Sequence, residues 1–536
     1  MANTTVLTSQ IYLKLNGVDV PRPTLVKVID AVVDQHAHLP AMFTIRLHDQ
    51  DMSLLDEGTF DLTKEIEIAV EKPGGPPVTL IKGEITALEP EFEPGMIFVL
   101  AVRGYDKSHR LYRDVRSRAF LNKKDSDIAA EIARAAGLEA DIETTATVYD
   151  HIYQHNQSDM DFLLQRAWRI GFECFVSQGK LTFRRPPERA TPITLTWGGD
   201  LLTFAPRMTL AEQVDAVIVR GWDAEKQQAI VGQAKNGRLY PSIGESKNGA
   251  EWAGDFGRGQ MVIVDQPVVS QAEANALAAA RLDEISGAFV QAEGLAFRRP
   301  DICAGGLVKL ENLGKRFSGD YLVTTATHSF TADGFRTTFA VRGTRTGLLL
   351  DEMTRRAPLR RWPGVVTAVV TNSDDPRGWG RVKVKFPWLS DETESDWARV
   401  VSVGAGPDAG LFALPAVDDE VLVVFEHGDF GRPFVLGGLW NGKHSGPAET
   451  GSAGAGQKPL VRSWRSRTGH RLTVYDTGDN KMEIVTASGG LTITLDDAGD
   501  KIRIESSGDI EITARGNIKL EAGGQVNVKG SVVNLN

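Results

Sequence analysis

The closing segment, Ser506 to Asn536, carries a repeat that few folds can accept. Glycines stand at Gly508, Gly516 and Gly524, eight residues apart, and two positions after each an apolar, polar, apolar triplet begins. The apolar members are Ile510 and Ile512, Ile518 and Leu520, then Val526 and Val528, and the alternation runs on to Val533 and Leu535. Alternation at period two is strand spacing, and glycine at each break turns the chain without steric cost. Each strand offers one thin apolar row. Alone, such a tail buries too little to offset the entropy of ordering it. Three copies wound about one axis would face Ile502, Ile504, Ile510, Ile512, Ile518, Leu520, Val526 and Val528 into a shared core. Glu511, Thr513, Lys519 and Glu521 would then face water. A one-chain solenoid is the alternative, but such solenoids usually need longer arrays and capping ends. Stacked strands step about 4.8 Å, so the tail predicts a shaft on the order of 40 Å long. The open strand edges at its end, Val532, Val533, Asn534, Leu535 and Asn536, are expected to be a platform that a partner covers.

The rest of the chain predicts several domains, roughly three to five for 536 residues. A hydrophobic share of 42% with 24% charged residues describes a folded chain, not a disordered or membrane one. The net charge of -10 argues against broad nucleic-acid binding, which wants clustered Lys and Arg. Two distant cysteines, Cys174 and Cys303, exclude a disulfide framework and a Cys-based zinc site. No secretory signal or membrane-length apolar run is read, so the expected place of synthesis and assembly is the cytoplasm.

Residues 1–105 read as short strands, with a hairpin at Asn16-Gly17. Over 106–200 the period changes to that of an α+β module. DSDIAAEIARAAG places Ile128, Ala129, Ile132, Ala133 and Ala136 on one helical face, and Gly137 stops it. SDMDFLLQRAWRIG opens on Ser158 with Asp161 as a capping box and ends at Gly171. Strands return over 201–350, with one helix capped by Ser270 and Glu273. The first and third regions predict two related barrels. Residues 351–447 hold about five strands, the count of a small OB-type barrel, with its clearest strands from Arg361 to Pro447. A Gly-rich joint, 448–461, leads to the spike repeat, 462–536.

Candidate chemistry is sparse. His151 and His155 have the i, i+4 spacing of paired ligands on a helix, but VYDHIYQHN reads as strand or loop, and no metal site is expected. GAGPDAG, Gly404 to Gly410, lacks the Lys-Ser/Thr pair of a phosphate loop and reads as a turn. Asp418, Asp419 and Glu420 read as a turn entering the strand VLVVF. Trp379, Trp388, Trp397 and Trp440 read as barrel core or interface. Lys383 and Lys385 do not make a basic face, because acids outnumber bases there. No catalytic residue, cofactor site or metal site is predicted, and the chain reads as no enzyme.

The order of parts resembles VgrG and the fused hub and spike of contractile phage tails. GYDKSHRLYR (Gly104 to Arg113) and Tyr153 to Pro186 look like the late-control-D hub region. DDPRGWGRVKVKFPW (Asp374 to Trp388) and Val417 to Gly442 look like the VgrG OB barrel, and Arg467 to Ile484 resembles the spike entry. The resemblance implies a mainly β fold: two hub β-barrels with an α+β insertion, an OB-type barrel and a C-terminal intertwined trimeric β-helix. It implies a homotrimer whose six barrels meet a sixfold Hcp-like inner tube and baseplate proteins. It also implies a PAAR-type tip protein on the blunt end, effector cargo, and no nucleic acid. The expected role is a baseplate hub and membrane-puncturing spike, in a phage-tail-like particle released from the cell. Other classes open at this stage are an OB-type carbohydrate- or nucleic-acid-binding protein and an envelope-degrading tail enzyme.

Overall fold

The computed structural model describes residues 9–187, 192–235, 237, 242–347, 361–390, 392–447, 460–478 and 480–534. It divides into two compact units, Met1–Gly438 and Leu439–Asn536.

In the first unit the Asn16-Gly17 hairpin forms as read. Leu15 pairs with Val18, and both turn residues have positive φ, 48° and 81°. From it an antiparallel sheet runs through Glu65–Val70, Val78–Glu93, Ile97–Asp106, Met42–His48 and Val28–His36. The last of these pairs along its free edge with Gly319–Thr331, in register from Thr325 with His36 to Phe330 with Ala31. The two strand-rich regions are therefore joined edge to edge in one 14-stranded sheet. Each keeps its own core, one around Phe43, Ile45 and Phe60, the other around Phe289, Tyr321 and Phe339. Gly104 is obligatory in this sheet, since a Cβ there would lie 2.0 Å from the Glu84 carbonyl oxygen.

The α+β insertion has its own core. Ile128, Ala129, Ile132 and Ala133 of the helix Asp125–Ala135 pack with Leu163, Cys174, Leu181 and Phe183. Ser158 Oγ accepts the Asp161 amide at 3.1 Å and starts the helix Asp159–Arg169. Strand Ile193–Thr196, within the interval read as insertion, runs parallel to Leu307–Glu311 of the third region.

The third region also holds a second small α/β unit that its strand pattern did not announce. Ala216–Asp223 pairs with Gln228–Ala234 and, in parallel, with Gln260–Ile263. The helix Gln271–Gly287, capped by Ser270 as read, covers this sheet through Leu277, Ala278 and Leu282. Gly232 permits the approach, since a Cβ would meet the Ala274 backbone at 2.3 Å. Five strands then close a barrel in the order Val365–Asn372, Arg381–Lys385, Ala398–Val400, Pro433–Gly438, Glu420–Phe425. Only the pair Ala398–Val400 and Pro433–Gly438 is parallel.

The second unit is an antiparallel meander of Val461–Arg465, Arg471–Tyr475, Lys481–Val485, Leu491–Asp496 and Lys501–Ser506. These strands pair within the chain because turns at Gly469 (φ 103°), Asn480 (φ 33°), Gly489 (φ 76°) and Asp500 (φ 49°) fold each back on its predecessor. The octads are different. No strand forms beyond Ser506 among the described residues, yet the backbone bends at Ser507-Gly508, Arg515-Gly516, Gly523-Gly524 and Ser531. The octad spacing is thus built into the local backbone without any ladder to hold it.

Candidate functional site

Period two along the strand Tyr149–Ser158 puts His151, Tyr153 and His155 on one side, and that side meets the barrel. Tyr153 is 8% exposed and is part of the barrel's own apolar cluster, its ring 5.1 Å from Phe430. Its hydroxyl lies 2.6 Å from Thr393 Oγ1. His151 Nε2 donates to the Glu394 carbonyl at 3.1 Å, and the His155 ring stacks on Phe430 at 4.9 Å. Burial pushes the His151 imidazole down, against the opposing pull of Asp396. The histidine pair set aside as metal ligands is a latch between insertion and barrel. Sequence reasoning missed Tyr153, although an aromatic row at period two was the available signal.

The barrel loop from Asp375 to Arg381 is tied by one carboxylate. Asp375 accepts the amides of Arg377 (3.0 Å), Trp379 (2.9 Å) and Arg381 (3.2 Å) and both Nε and Nη2 of Arg381. The tryptophans read as barrel core or interface stay out of the core: Trp379 and Trp388 are exposed and Trp397 is half-buried. Trp379 and Trp397 flank the Arg381 guanidinium at 5.1 and 5.6 Å, and Trp388 lies 5.0 Å from Trp362. They lie outside because Val370, Val382, Val384, Phe386, Val421 and Val423 already fill so small a barrel. Trp440 belongs to the second unit and is 75% exposed. Lys383 is engaged with Glu394 and the Trp397 ring. Gly404 to Gly410 is a hairpin turn, and Asp418 (φ 73°) turns into the strand Glu420–Phe425, both as read.

From this barrel projects an arm, Ser402 to Ala416, in which Asp408 is the one charged residue. Its Val403 and Phe412 are each 81% exposed. Such an apolar arm without cover is a contact surface by composition.

In the second unit the pairing aligns apolar residues in two rows, one across all five strands and one across four. Trp464 faces Leu472, then Ile484, Ile493 and Ile504, and beside them Val474 faces Met482, Leu495 and Ile502. Apart from Arg462 opposite Val474 and Ser506 opposite Leu491, that face is apolar, and none of the described residues covers it. Ile502, Ile504, Ile510, Ile512, Ile518, Leu520, Val526 and Val528 are all more than half exposed. None of Gly508, Gly516 and Gly524 has left-handed φ, and a Cβ at the latter two would meet open space. The single chain thus shows no steric need for glycine at Gly516 or Gly524. At the end, Val532, Val533 and Asn534 are exposed, and Leu535 and Asn536 lie outside the described residues.

Comparison with known proteins matches this arrangement. Residues 366–440 match the type VI secretion system/phage-baseplate injector OB domain. The chain is 37% identical over 100 residues to the type VI secretion system spike protein VgrG1b of Pseudomonas aeruginosa, covering 17% of this chain and 14% of that protein. It is 40% identical over 73 residues to VgrG3 of Vibrio cholerae, covering 13% and 7%. These alignments span a small fraction of the relatives' length. Two solved structures share the fold at low identity. The Escherichia coli c3393 protein, a type VI component described as similar to T4 bacteriophage tail proteins gp27 and gp5, aligns with a TM-score of 0.52 at 14% identity, over 80% of this chain and 99% of its own. A Francisella PdpA–VgrG complex in its half-lidded form aligns with a TM-score of 0.53 at 9% identity, over 93% and 88%. The family model for the Alg8 N-terminal domain matches residues 4–332, more than half of the chain. The chain belongs to the Alg8 N-terminal domain family and, with its injector OB barrel, is a VgrG-like hub-spike protein.

Proposed function

We propose that this chain works as a homotrimer, the hub and puncturing spike of a contractile injection particle. A spike role in a type VI or phage-tail assembly is common to its relatives. The finer assignments are inferences from the chain itself. The carrying observation is the uncovered apolar face of the spike meander, continued by octads that bend in register but form no ladder. Three copies would bury those rows against one another and satisfy the unpaired octad backbone. A shaft so formed resists bending, and on sheath contraction it concentrates force at its tip. The role is mechanical, without a catalytic step.

In this reading the hub meets an Hcp-like inner tube and baseplate proteins, effector cargo travels with it, and a PAAR-type tip protein seats on Val532 to Asn536. Assembly takes place in the cytoplasm, and the finished particle is released. A VgrG of this fold in complex with PdpA supports a spike that binds other proteins. Size-exclusion chromatography with light scattering tests the trimer: a mass of three chains is expected, and a folded chain eluting at the mass of one would rule the reading out. Deleting Gly524 to Asn536 should leave the trimer but abolish capture of the tip protein in a pull-down.

A further inference from the structure

Two apolar surfaces of the first unit stand open to solvent, and their chemistry is complementary. One is the outer face of the small sheet Ala216–Asp223, Gln228–Ala234 and Gln260–Ile263, whose inner face lies under the helix Gln271–Gly287. Cross-strand register puts Ile218, Arg220 and Trp222 on that outer face, with Val231 opposite Arg220 and Val262 beside Ile218. Trp222, Val231 and Val262 are each more than 40% exposed, and Arg220 carries the charge among them. The other is the barrel arm, in which every residue from Ser402 to Ala413 is exposed. Its hairpin pairs Ala405 with Gly410 and Gly406 with Ala409, so Asp408 stands at the tip. Neither the Arg220 nor the Asp408 side chain has a charged or hydrogen-bonding partner among the described residues.

Topology brings both surfaces to one end of the barrel. Ala398–Val400 runs parallel to Pro433–Gly438, so the arm leaves the barrel at the end from which the chain continues past Gly438 to the second unit. The loop Asp375 to Arg381 lies at that end too, since Arg381 pairs with Arg399, and a Cβ on Gly380 would lie 3.3 Å from the Phe412 ring. From that loop Arg377 Nη1 reaches Glu225 Oε2 at 3.0 Å, in the turn that follows Ala216–Asp223. The open sheet face therefore starts beside the barrel end that bears the arm.

From these observations we infer that the arm of one copy docks on the outer sheet face of the next. Val403 and Phe412 cover Trp222, Val231 and Val262, and Asp408 meets Arg220. The inference rests on the homotrimer reading, because copies that share a shaft converge where the chain leaves the barrel. Arm and face are different surfaces, so the contact runs head to tail, and a ring of three closes it with no arm and no face left over. Both halves occur once in every chain, which is what a ring of identical copies needs. Each barrel is thereby fastened to its neighbour independently of the octad rows.

Cross-linking of the full chain tests this, with exposed Cys303 replaced as Cys303→Ser and buried Cys174 kept. Asp408→Cys combined with Arg220→Cys, treated with a short bismaleimide, should give covalent dimers and trimers on a denaturing gel, and each substitution alone should give none. Links in either single variant mark a like-to-like contact and overturn the inference, as do links confined to one chain. A sample that light scattering shows to be trimeric but that forms no arm-to-face link overturns it and leaves the trimer standing, with the face free for another protein. A folded monomer overturns both. If that pair does not fold, Ala409→Cys with Ala229→Cys, at two exposed small residues, decides in its place on the same outcomes. On this second pair Asp408→Lys should slow linking about tenfold, and adding Arg220→Glu should restore the rate. A rate indifferent to both reversals overturns the inference.

Discussion

Arg381 grips Asp375 through two nitrogens, Nε at 3.0 Å and Nη2 at 2.6 Å, on a carboxylate only 3% exposed. That pair, with three backbone amides, closes the loop that leads into the barrel strand Arg381–Lys385. Arg381 first, then the amides, hold the Asp375 carboxyl far below the usual carboxylate range. Asp375→Ala leaves the guanidinium unpaired and should cost about 3 kcal/mol of barrel stability in urea unfolding at neutral pH. A folded-state pKa below the unfolded one stabilises above the unfolded value, near 4, and the gain is lost only as pH falls further. The difference between wild type and variant should therefore be flat above about pH 4 and shrink below it.

Tyr153 should matter to the barrel although it lies in the insertion. Tyr153→Ala opens a hole beside Phe430 and should cost about 3 kcal/mol, whereas Tyr153→Phe, losing the Thr393 contact alone, should cost about 1. Calorimetry of the full chain should show the alanine variant's barrel unfolding ahead of the hub.

His328 gives the hub a pH dependence of its own. It is 1% exposed, its Nδ1 donates to Thr337 Oγ1 at 3.0 Å, and burial pushes its imidazole down to about 4. The unfolded chain takes up a proton near pH 6.5 that the folded chain refuses, so stability falls as pH drops from there toward 4. The window corresponds to about 3 kcal/mol. In His328→Gln the pH slope of denaturant unfolding between those limits should flatten; an unchanged slope would assign it to other groups.

The octad rows should be assembly determinants. Ile512→Asp and Ile518→Asp place charge on residues 72% and 52% exposed in the single chain. Each should leave hub and barrel melting within about 0.5 kcal/mol of wild type. Light scattering should nevertheless register a shift from three chains toward one.

Phe412 on the barrel arm offers the matching contrast. At 81% exposed it contributes little to its own chain. Phe412→Glu should leave barrel stability within about 0.5 kcal/mol and narrow the range of dilution over which the assembly survives, read by light scattering.

Local features were legible in the chain's letters. The Asn16-Gly17 turn, the Ser158 and Ser270 caps and the eight-residue bends of the tail involve residues a few positions apart, and their chemistry needs no distant partner. The five-stranded barrel and the apolar spacing of the spike were readable for the same reason, since period-two patterning is a local signal. Tertiary structure alone decided that His36 would pair with Thr325, that Tyr153 would complete a barrel core, and that the barrel tryptophans would lie on its rim. It alone gathered Gln157, Arg166 and Trp397 around one cavity. Such contacts join residues that are hundreds of positions apart, and which surface covers which depends on how the remaining core volume has already been filled.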